Sequence, residues 1–294
     1  MICIYHSKDL DGQSSAAIVK KRFNGVELIG YDYGDPIPTP RPNEPLIIVD
    51  VSFPMDIMLK MSEERGMDLT WIDHHIKSIK EYEGFMKQRK DTFCVTHIED
   101  GIAACELTWQ FLYPESEMPR AISLLGAYDV GRKGDNWDTE VLPFQFGMRG
   151  LCSSPNEFPI ELLENGEATD RMINSIIDNG TAILEYVRKT EAISMNRLAF
   201  EAEFLGMRAL CLNSAAFNFL SFASQWDSSK YDVAVGFNFN GSRWMGSIYT
   251  DKEHVDCNEL ARQLGGGGHK RASGFVVDDI FHHLKKVNPA SPCP

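Results

Sequence analysis

Aspartate and histidine side chains follow three separate apolar runs of the sequence, and a carboxylate comes again farther along the chain. In chain order this set is His6, Asp9, Asp11, Asp50, Asp73, His74, His75 and Asp129. A mixed set of carboxylates and imidazoles suits Mn²⁺ or a similar borderline divalent ion better than Ca²⁺ or a thiolate-bound metal. The set is large enough to hold two metal ions.

Each aspartate taken alone has a second interpretation, as a helix N-cap or a turn residue. Asp9 and Asp11 are two residues apart, so in the loop after a strand they can present two oxygens to neighbouring ions. The placement of the whole set at the ends of apolar runs favours the metal interpretation over the capping one.

Apolar runs and helical stretches alternate in the first half of the chain, which predicts a mostly parallel sheet with helices on both faces. The predicted strands are "MICIYH", "VELIGYDY", "PLIIVDVSF" and "DLTWIDHH", and the helical stretches include "SSAAIVKKRF" and "MDIMLKMSEERG". Ligands of such sheets bind beyond the carboxyl ends of the strands. We therefore expect the Asp and His segments to converge on one edge of the sheet.

A smaller mixed domain is predicted to follow. Apolar residues recur at helical spacing from Asp170 to about Ala199, which predicts a long connecting helix. Beyond it, the runs "MRALCLN", "YDVAVGFNFN" and "RWMGSIYT" read as strands, followed by the helix "CNELARQL" and the run "GGGGHKRASGF". The expected fold class is α/β, with domains at 1–190 and 191–294.

Composition limits the classes of partner. The 294 residues, 43% of them hydrophobic, carry a net charge of −13, which argues against tight binding to long duplex nucleic acid. A small anionic substrate stays compatible, because divalent cations bound at an acidic cluster reverse the local field. No apolar run approaches a membrane span, no signal peptide is recognisable, and the seven cysteines include no C-x-x-C pair. We expect a soluble protein of the reducing cytoplasm.

At this point the motifs resemble those of a known family. "HSKDLDG", "IIVDVS", "WIDHH" and "AYDVG" resemble the four successive motifs of the DHH phosphoesterase superfamily, and "GGGGHKRASGF" resembles the glycine-rich signature of its DHHA1 domain. The resemblance spans Ile2 to about Phe275, and the chain length resembles that of the compact oligoribonucleases and nucleotide phosphatases. It implies a DHH domain joined by a helix to a DHHA1 domain, with the active site in the cleft between them.

The resemblance implies two metal ions, expected to be Mn²⁺, bridged by Asp50. The first would be bound by His6, Asp9 and Asp50, and the second by Asp11, Asp50, His74 and Asp129. One departure concerns His6: the commoner motif has three residues between the His and the first Asp, and only two intervene here. Two such ions bind a bridging water, lower its pKa and clamp the attacking and leaving oxygens at phosphorus.

Two further residues of the DHH motif have implied catalytic roles. Asp73 would orient a neighbouring imidazole by hydrogen bonding. His75 resembles the family histidine that contacts the phosphate, where it would stabilise charge or protonate the leaving oxygen. A buried structural histidine is the alternative.

The glycine run implies a substrate loop, because backbone amides without side chains can surround a phosphate or a sugar; a flexible turn is the ordinary alternative. The predicted substrate contacts are Gly266, Gly267, Gly268, His269, Arg271 and Tyr249, with Lys270 as an alternative to Arg271. Tyr249 stands where DHHA1 domains often carry an arginine, and it is expected either to stack on a base or to pack. The same choice is open for Trp137, which has basic neighbours.

The leading functional interpretation is a manganese-dependent phosphodiesterase acting on short oligoribonucleotides or small nucleotides. Enzymatic alternatives are a phosphatase of 3′-phosphoadenosine 5′-phosphate, a cyclic-dinucleotide phosphodiesterase and a pyrophosphatase-like phosphoanhydride hydrolase, the last disfavoured by the glycine-rich signature. A non-catalytic nucleotide-binding regulator is the alternative from another class. The expected partners are short single-stranded RNA or a small nucleotide and, as a further candidate, a second copy of the chain, with no membrane and no long duplex.

Overall fold

The protein forms two compact units. The computed structural model describes residues 1–89, 91–214 and 219–286, apart from the side chain of Lys286. The first unit is Met1–Leu184 and the second begins at Glu185, so the division lies within the long helix that the sequence predicts.

The first unit is built on a five-stranded parallel sheet with the order β2-β1-β3-β4-β5. Its strands are β1 (Ile2–His6), β2 (Glu27–Tyr31), β3 (Leu46–Val49), β4 (Leu69–Asp73) and β5 (Val95–Ile98). The central strands carry runs of buried apolar residues, as expected where both faces of a parallel sheet are covered. The predicted parallel sheet is confirmed.

Helices cover both faces of this sheet, as predicted. They are α1 (Leu10–Arg22), α2 (Met55–Glu63), α3 (Ile76–Met86), α4 (Ala104–Leu112), α5 (Arg120–Asp129), α6 (Leu142–Leu151) and α7 (Glu167–Leu198), which continues into the second unit. On one face Ile48 and Trp71 pack with Met58 of α2. On the other, Val49 packs with Val19 of α1 and Leu107 of α4.

Within its described residues, the second unit contains a seven-stranded mixed sheet with the order β10-β11-β9-β8-β7-β6-β12, in which only the β7–β8 pair is parallel. Its elements are β6 (Ala199–Phe204), β7 (Met207–Asn213), β8 (Val233–Phe239), β9 (Trp244–Tyr249), α8 (Cys257–Arg262), β10 (Gly267–Gly268), β11 (Ala272–Val277) and β12 (Leu284–Lys286). Helix α8 packs on one face through Leu260, against Phe237 and Phe275.

Two further features of the described residues are the state of the cysteines and the character of the helices. The six cysteines within the described residues are buried and unbonded, and Cys293 lies outside those residues. Across the part of the chain that the structure describes, no helix has both the length and the apolar character that crossing a membrane demands.

Candidate functional site

The predicted metal ligands meet at the carboxyl edge of the parallel sheet. Strand β1 ends at His6, β3 ends one residue before Asp50, and β4 ends at Asp73. Because β1, β3 and β4 are consecutive in the sheet, their ends lie side by side. The last residue of α5, Asp129, completes the cluster.

Three groups of ligand atoms form there, and within each group the atoms lie within 4.8 Å of one another. The groups are His6, Asp9 and Asp50; Asp11, His74 and Asp129; and Asp50, His74 and His75. His74 is shared between two groups, and its Nε2 lies 3.4 Å from both Asp50 Oδ1 and Asp129 Oδ2. The cluster therefore brings together both predicted ligand sets around Asp50.

His6 reaches the cluster in spite of its short spacing from Asp9. Its Nδ1 lies 2.8 Å from Asp9 Oδ2 and 3.5 Å from Asp50 Oδ2. Because His6 is the last residue of β1 and Asp9 is the N-cap of α1, the tight strand-to-helix connection folds the two side chains together. Two intervening residues are enough for this geometry.

Asp50 has the environment expected of a metal ligand. It is 1% exposed, and within the described residues neither carboxylate oxygen has a hydrogen-bond partner. Its φ of +57° lies in the left-handed region, which non-glycine residues adopt at a cost and most often at functional sites. A buried carboxylate without a hydrogen-bond donor is expensive unless a cation compensates its charge, so the donor set fits a divalent ion.

The crowding of carboxylates alters their proton affinities. Burial, followed by the charge of Asp11, raises the pKa of Asp50 well above its ordinary value. The same causes, with Asp50 added, raise the pKa of Asp129. Burial lowers the pKa of His6, but the adjacent carboxylates Asp50 and Asp9 outweigh burial and raise this pKa to about 11. Without a metal ion, these side chains in the folded cluster therefore keep their protons to higher pH than the same side chains do in water.

The two aspartates of the first motif also cap helices, so both interpretations of these residues apply. Asp9 Oδ1 accepts the Gly12 N–H at 3.0 Å, at the N-terminus of α1. Asp11 Oδ2 accepts the Ala104 N–H and its Oδ1 the Cys105 N–H, each at 2.8 Å, at the N-terminus of α4. These bonds fix the orientation of both carboxylates toward the cluster.

Asp73 orients His75 rather than entering the ligand groups. Its Oδ1 lies 2.7 Å from His75 Nδ1 and accepts the backbone N–H of His74 at 2.8 Å. Burial lowers the pKa of His75, but the bond to Asp73 outweighs burial and raises it. The bond also assigns the proton on Nδ1 and turns Nε2 away from Asp73, as in carboxylate-oriented imidazoles.

Two residues beside the cluster were missed by the sequence argument. Asp32 Oδ1 lies 3.5 Å from His6 Nε2. The Tyr33 hydroxyl accepts the Ser52 N–H at 3.4 Å, and its ring lies 5.9 Å from that of His6. Both residues follow β2, the neighbour of β1. The signal was available, because the rule that ligands gather at carboxyl ends of strands applies to β2 as well.

In the second unit, the glycine run forms a tight hairpin. A Cβ on Gly266 would lie 2.1 Å from the Gly274 carbonyl oxygen, whereas a Cβ on Gly267 would meet nothing nearer than Asn258 Oδ1 at 3.6 Å. The Gly268 N–H donates to Asn258 Oδ1 at 3.1 Å. His269 is exposed at the turn, where its N–H donates to the Ala272 carbonyl at 2.8 Å.

The other predicted substrate contacts are engaged within the protein. Arg271 forms an ion pair with Glu253, and Lys270 Nζ lies 4.0 Å from the same carboxylate. The Tyr249 ring lies 6.3 Å from the rings of Phe219 and Phe222. This geometry favours the packing interpretation of Tyr249.

Trp137 is likewise held within an aromatic stack. Its ring lies 5.9 Å from that of Tyr128 at an interplanar angle of 4°, and Lys133 Nζ lies 5.6 Å from its centroid. Tyr128 directly precedes Asp129. The stack therefore anchors the segment after α5 next to a predicted ligand.

The fold and the strand-end cluster define an α/β protein with the fold of DHH-domain structures. The DHH domain of a member of the s1p family of ribosomal proteins aligns with a TM-score of 0.56 and 13% identity over 94% of this chain and 82% of that chain. A pGpG-specific phosphodiesterase, PggH from Vibrio cholerae, aligns with a TM-score of 0.50 and 14% identity over 94% of this chain and 93% of that chain.

Sequence comparisons are less informative about function. No protein-family model matches the chain. An uncharacterized protein of Acanthamoeba polyphaga mimivirus is 21% identical over 291 residues, which cover 94% of this chain. An uncharacterized protein of Mycoplasma pneumoniae is 41% identical over 51 residues, 17% of this chain. The matched regions span only 58% and 15% of the lengths of these two relatives.

Proposed function

We propose that this protein is a two-metal phosphodiesterase that hydrolyses short oligoribonucleotides or small nucleotides. The observation that carries the proposal is Asp50, a buried carboxylate without a hydrogen-bond partner among the described residues, at the junction of the ligand groups. A carboxylate in this position is suited to bridge two cations, since both of its oxygens face other donors of the cluster.

We assign His6, Asp9 and Asp50 to one Mn²⁺ ion, and Asp11, Asp50, His74 and Asp129 to a second. When bound, the pair supplies an activated water and neutralises charge that develops at phosphorus. Borderline donors of this type favour Mn²⁺ over Ca²⁺. The cations also convert a strongly acidic edge into one that an anionic substrate can approach.

His75 is proposed to act on the substrate itself. Asp73 holds its Nδ1 at 2.7 Å and thereby fixes the ring. From this position Nε2 can donate to a phosphate oxygen, or pass its proton to the leaving oxygen.

The glycine hairpin of the second unit is the proposed substrate loop. Gly267 leaves open space above the backbone, and His269 is exposed beside it. We propose that residues 1–190 act as the catalytic domain and residues 191–294 as the substrate-binding domain. The fold neighbour named for its action on pGpG supports a dinucleotide-sized substrate.

A substrate panel tests the function. Purified protein loaded with Mn²⁺ is assayed against di- to pentaribonucleotides, pGpG, cyclic dinucleotides, 3′-phosphoadenosine 5′-phosphate and pyrophosphate. Hydrolysis of the short oligonucleotides, abolished by chelation, is the expected result. Preferred release of phosphate from the bisphosphate or from pyrophosphate would reassign the substrate class. Absence of turnover on every compound, with two Mn²⁺ ions bound, would refute the enzymatic proposal.

A further inference from the structure

The N-terminal turn of α4 contacts both the Asp11 carboxylate and the segment after Asp129. Ala104 and Cys105 donate their N–H groups to the two oxygens of Asp11, at 2.8 Å each. In the same turn, the Ala103 N–H donates to Glu106 Oε2 at 3.3 Å. Because the Asp11 bonds come from backbone atoms of a helix end, they orient this carboxylate rigidly.

A second rigid hydrogen-bonded motif ends helix α5. Gly131 adopts a φ of +64°, its N–H donates to the Tyr128 carbonyl at 3.1 Å, and the Arg132 N–H donates to the Ala127 carbonyl at 2.8 Å. These are the two bonds of a Schellman motif. The motif fixes the backbone just beyond Asp129 and directs the chain back toward α4.

A bidentate ion pair joins the N-terminal turn of α4 to the segment that follows α5. Arg132 Nη1 and Nη2 donate to Glu106 Oε1 and Oε2, at 3.0 and 2.7 Å. Glu106 is only 5% exposed. Its carboxyl group lies so close to α5 that a Cβ on Gly126 would be 2.5 Å from Glu106 Cδ. The planar, two-bond geometry constrains distance and angle together, which a single ion pair would not.

We propose that Glu106 and Arg132 are positioning residues for the second metal ion, and that their ion pair sets the separation between Asp11 and Asp129. This inference rests on the two-metal ligand assignment within the proposed function. Neither residue belongs to the ligand groups found among the described residues. They act through the α4 turn that holds Asp11 and through the α5 end that carries Asp129.

The chain supplies a matched control at the other end of α5. Arg120 pairs with Glu140 at 2.7 Å and with Asp170 at 3.4 Å. The Arg120 and Arg132 side chains are both partly exposed, and both ion pairs tie α5 to its surroundings. In the described structure neither Glu140 nor Asp170 falls in a ligand group. A loss of helix anchoring alone would therefore affect both variants alike.

The test compares Arg132→Gln with Arg120→Gln by calorimetric Mn²⁺ titration and by electron paramagnetic resonance, without substrate. Outer partners of metal ligands typically contribute 10–100-fold in metal affinity. Arg132 acts one contact farther out than such partners, so we expect Arg132→Gln to weaken binding of the second Mn²⁺ by about tenfold, the low end of that range. Binding of the first ion should be unchanged, and a mononuclear signal should replace the spin-coupled one. Arg120→Gln should retain two sites and the coupled signal.

A second variant keeps the test decisive if Arg132→Gln is poorly folded. Arg132→Lys retains the charge but not the two-bond fork, and it should show an intermediate loss of second-site affinity. Wild-type affinity for both ions in Arg132→Gln and Arg132→Lys would overturn the inference. If the wild-type protein binds two coupled ions but hydrolyses no substrate of the panel, the proposed function fails while this inference still stands.

Discussion

The strand-end cluster of the first unit and the glycine hairpin of the second differ in burial and in hydrogen bonding. In the cluster, charged groups are buried and Asp50 has no hydrogen-bond partner within the described residues. In the hairpin, the backbone is exposed, and Arg271 and the Gly268 amide already have partners. Under the proposed function, the first unit provides the chemistry and the second contributes to substrate affinity. Changes in the two regions should therefore affect kcat and KM separately.

The largest effect is expected for Asp50→Asn. Loss of the bridging carboxylate should lower kcat by about 10³-fold or more, since metal ions contribute several kcal/mol to such reactions. The metal-free variant should be more stable to urea than the wild type by roughly 1–3 kcal/mol, because its amide is neutral at every pH, whereas folding of the metal-free wild type must bury the Asp50 charge or take up a proton, and Asn tolerates the left-handed backbone. Wild-type turnover in this variant would refute the bridging role.

His75→Gln should lower kcat by about 10²-fold, because a positioned proton donor contributes roughly 10²–10⁴-fold. Mn²⁺ stoichiometry should change little, because His75 lies near Asp50 and His74 but is assigned to neither ion in the proposed ligand sets. The exposed His282→Gln is the matched control and should behave as wild type. Steady-state kinetics beside calorimetry separates this outcome from a structural role, in which metal binding and stability would fall together with kcat.

The cluster should also give the metal-free protein an unusual pH dependence. Folding raises the pKa values of Asp50 and Asp129 above their ordinary 3.8. A carboxyl group whose pKa is raised by folding contributes fully to the stability of the folded state at pH values below 3.8. This contribution is lost as the pH rises through the pKa of the folded state. The unfolding free energy in EDTA should therefore decline toward neutral pH.

Mn²⁺ should reverse this decline. At about 100 times Kd, each site adds about 2.7 kcal/mol at neutral pH, and less in acid, where the carboxylates are protonated. Urea unfolding at several pH values, with EDTA or with Mn²⁺, measures both effects. A metal-free stability that rises steadily toward neutral pH would contradict the assigned pKa shifts.

The smallest effect is expected in the hairpin. Gly267→Ala should raise KM by about fivefold with kcat nearly unchanged, because the added methyl occupies space above the proposed substrate loop while meeting nothing closer than 3.6 Å within the protein. Each tenfold change in affinity corresponds to about 1.4 kcal/mol, so a fivefold change in KM corresponds to about 1 kcal/mol of substrate-binding free energy. Gly84→Ala, where a Cβ has open space in α3, is the control. An unchanged KM would contradict the proposal that the hairpin binds the substrate.

The sheet and the position of the cluster could be predicted because both depend on local patterns. Apolar runs give the strands, and a residue such as Asp50 at the end of a run is placed at the sheet edge by topology alone. Glu106 and Arg132 could not be found this way. Their pairing depends on how α4 packs beside α5, and no spacing rule connects them across 26 residues. Asp32 and Tyr33 are intermediate in predictability. They could have been found from the sequence, because they are the last two residues of the predicted strand "VELIGYDY" and ligands gather at the carboxyl ends of strands.

Helix α4 begins at Ala104, and its N-cap Ala103 has no side chain able to cap it, so the Ala104 N–H is bound by Asp11 from 93 residues earlier. The Ala104 and Cys105 N–H groups can therefore find this partner only after α1 has docked, which links this part of the helix end to the placement of Asp11 in the ligand set. The amide hydrogens of Ala104 and Cys105 should accordingly exchange with solvent at a common rate. That rate should slow on metal loading, making two backbone amides a direct reporter of the integrity of the site.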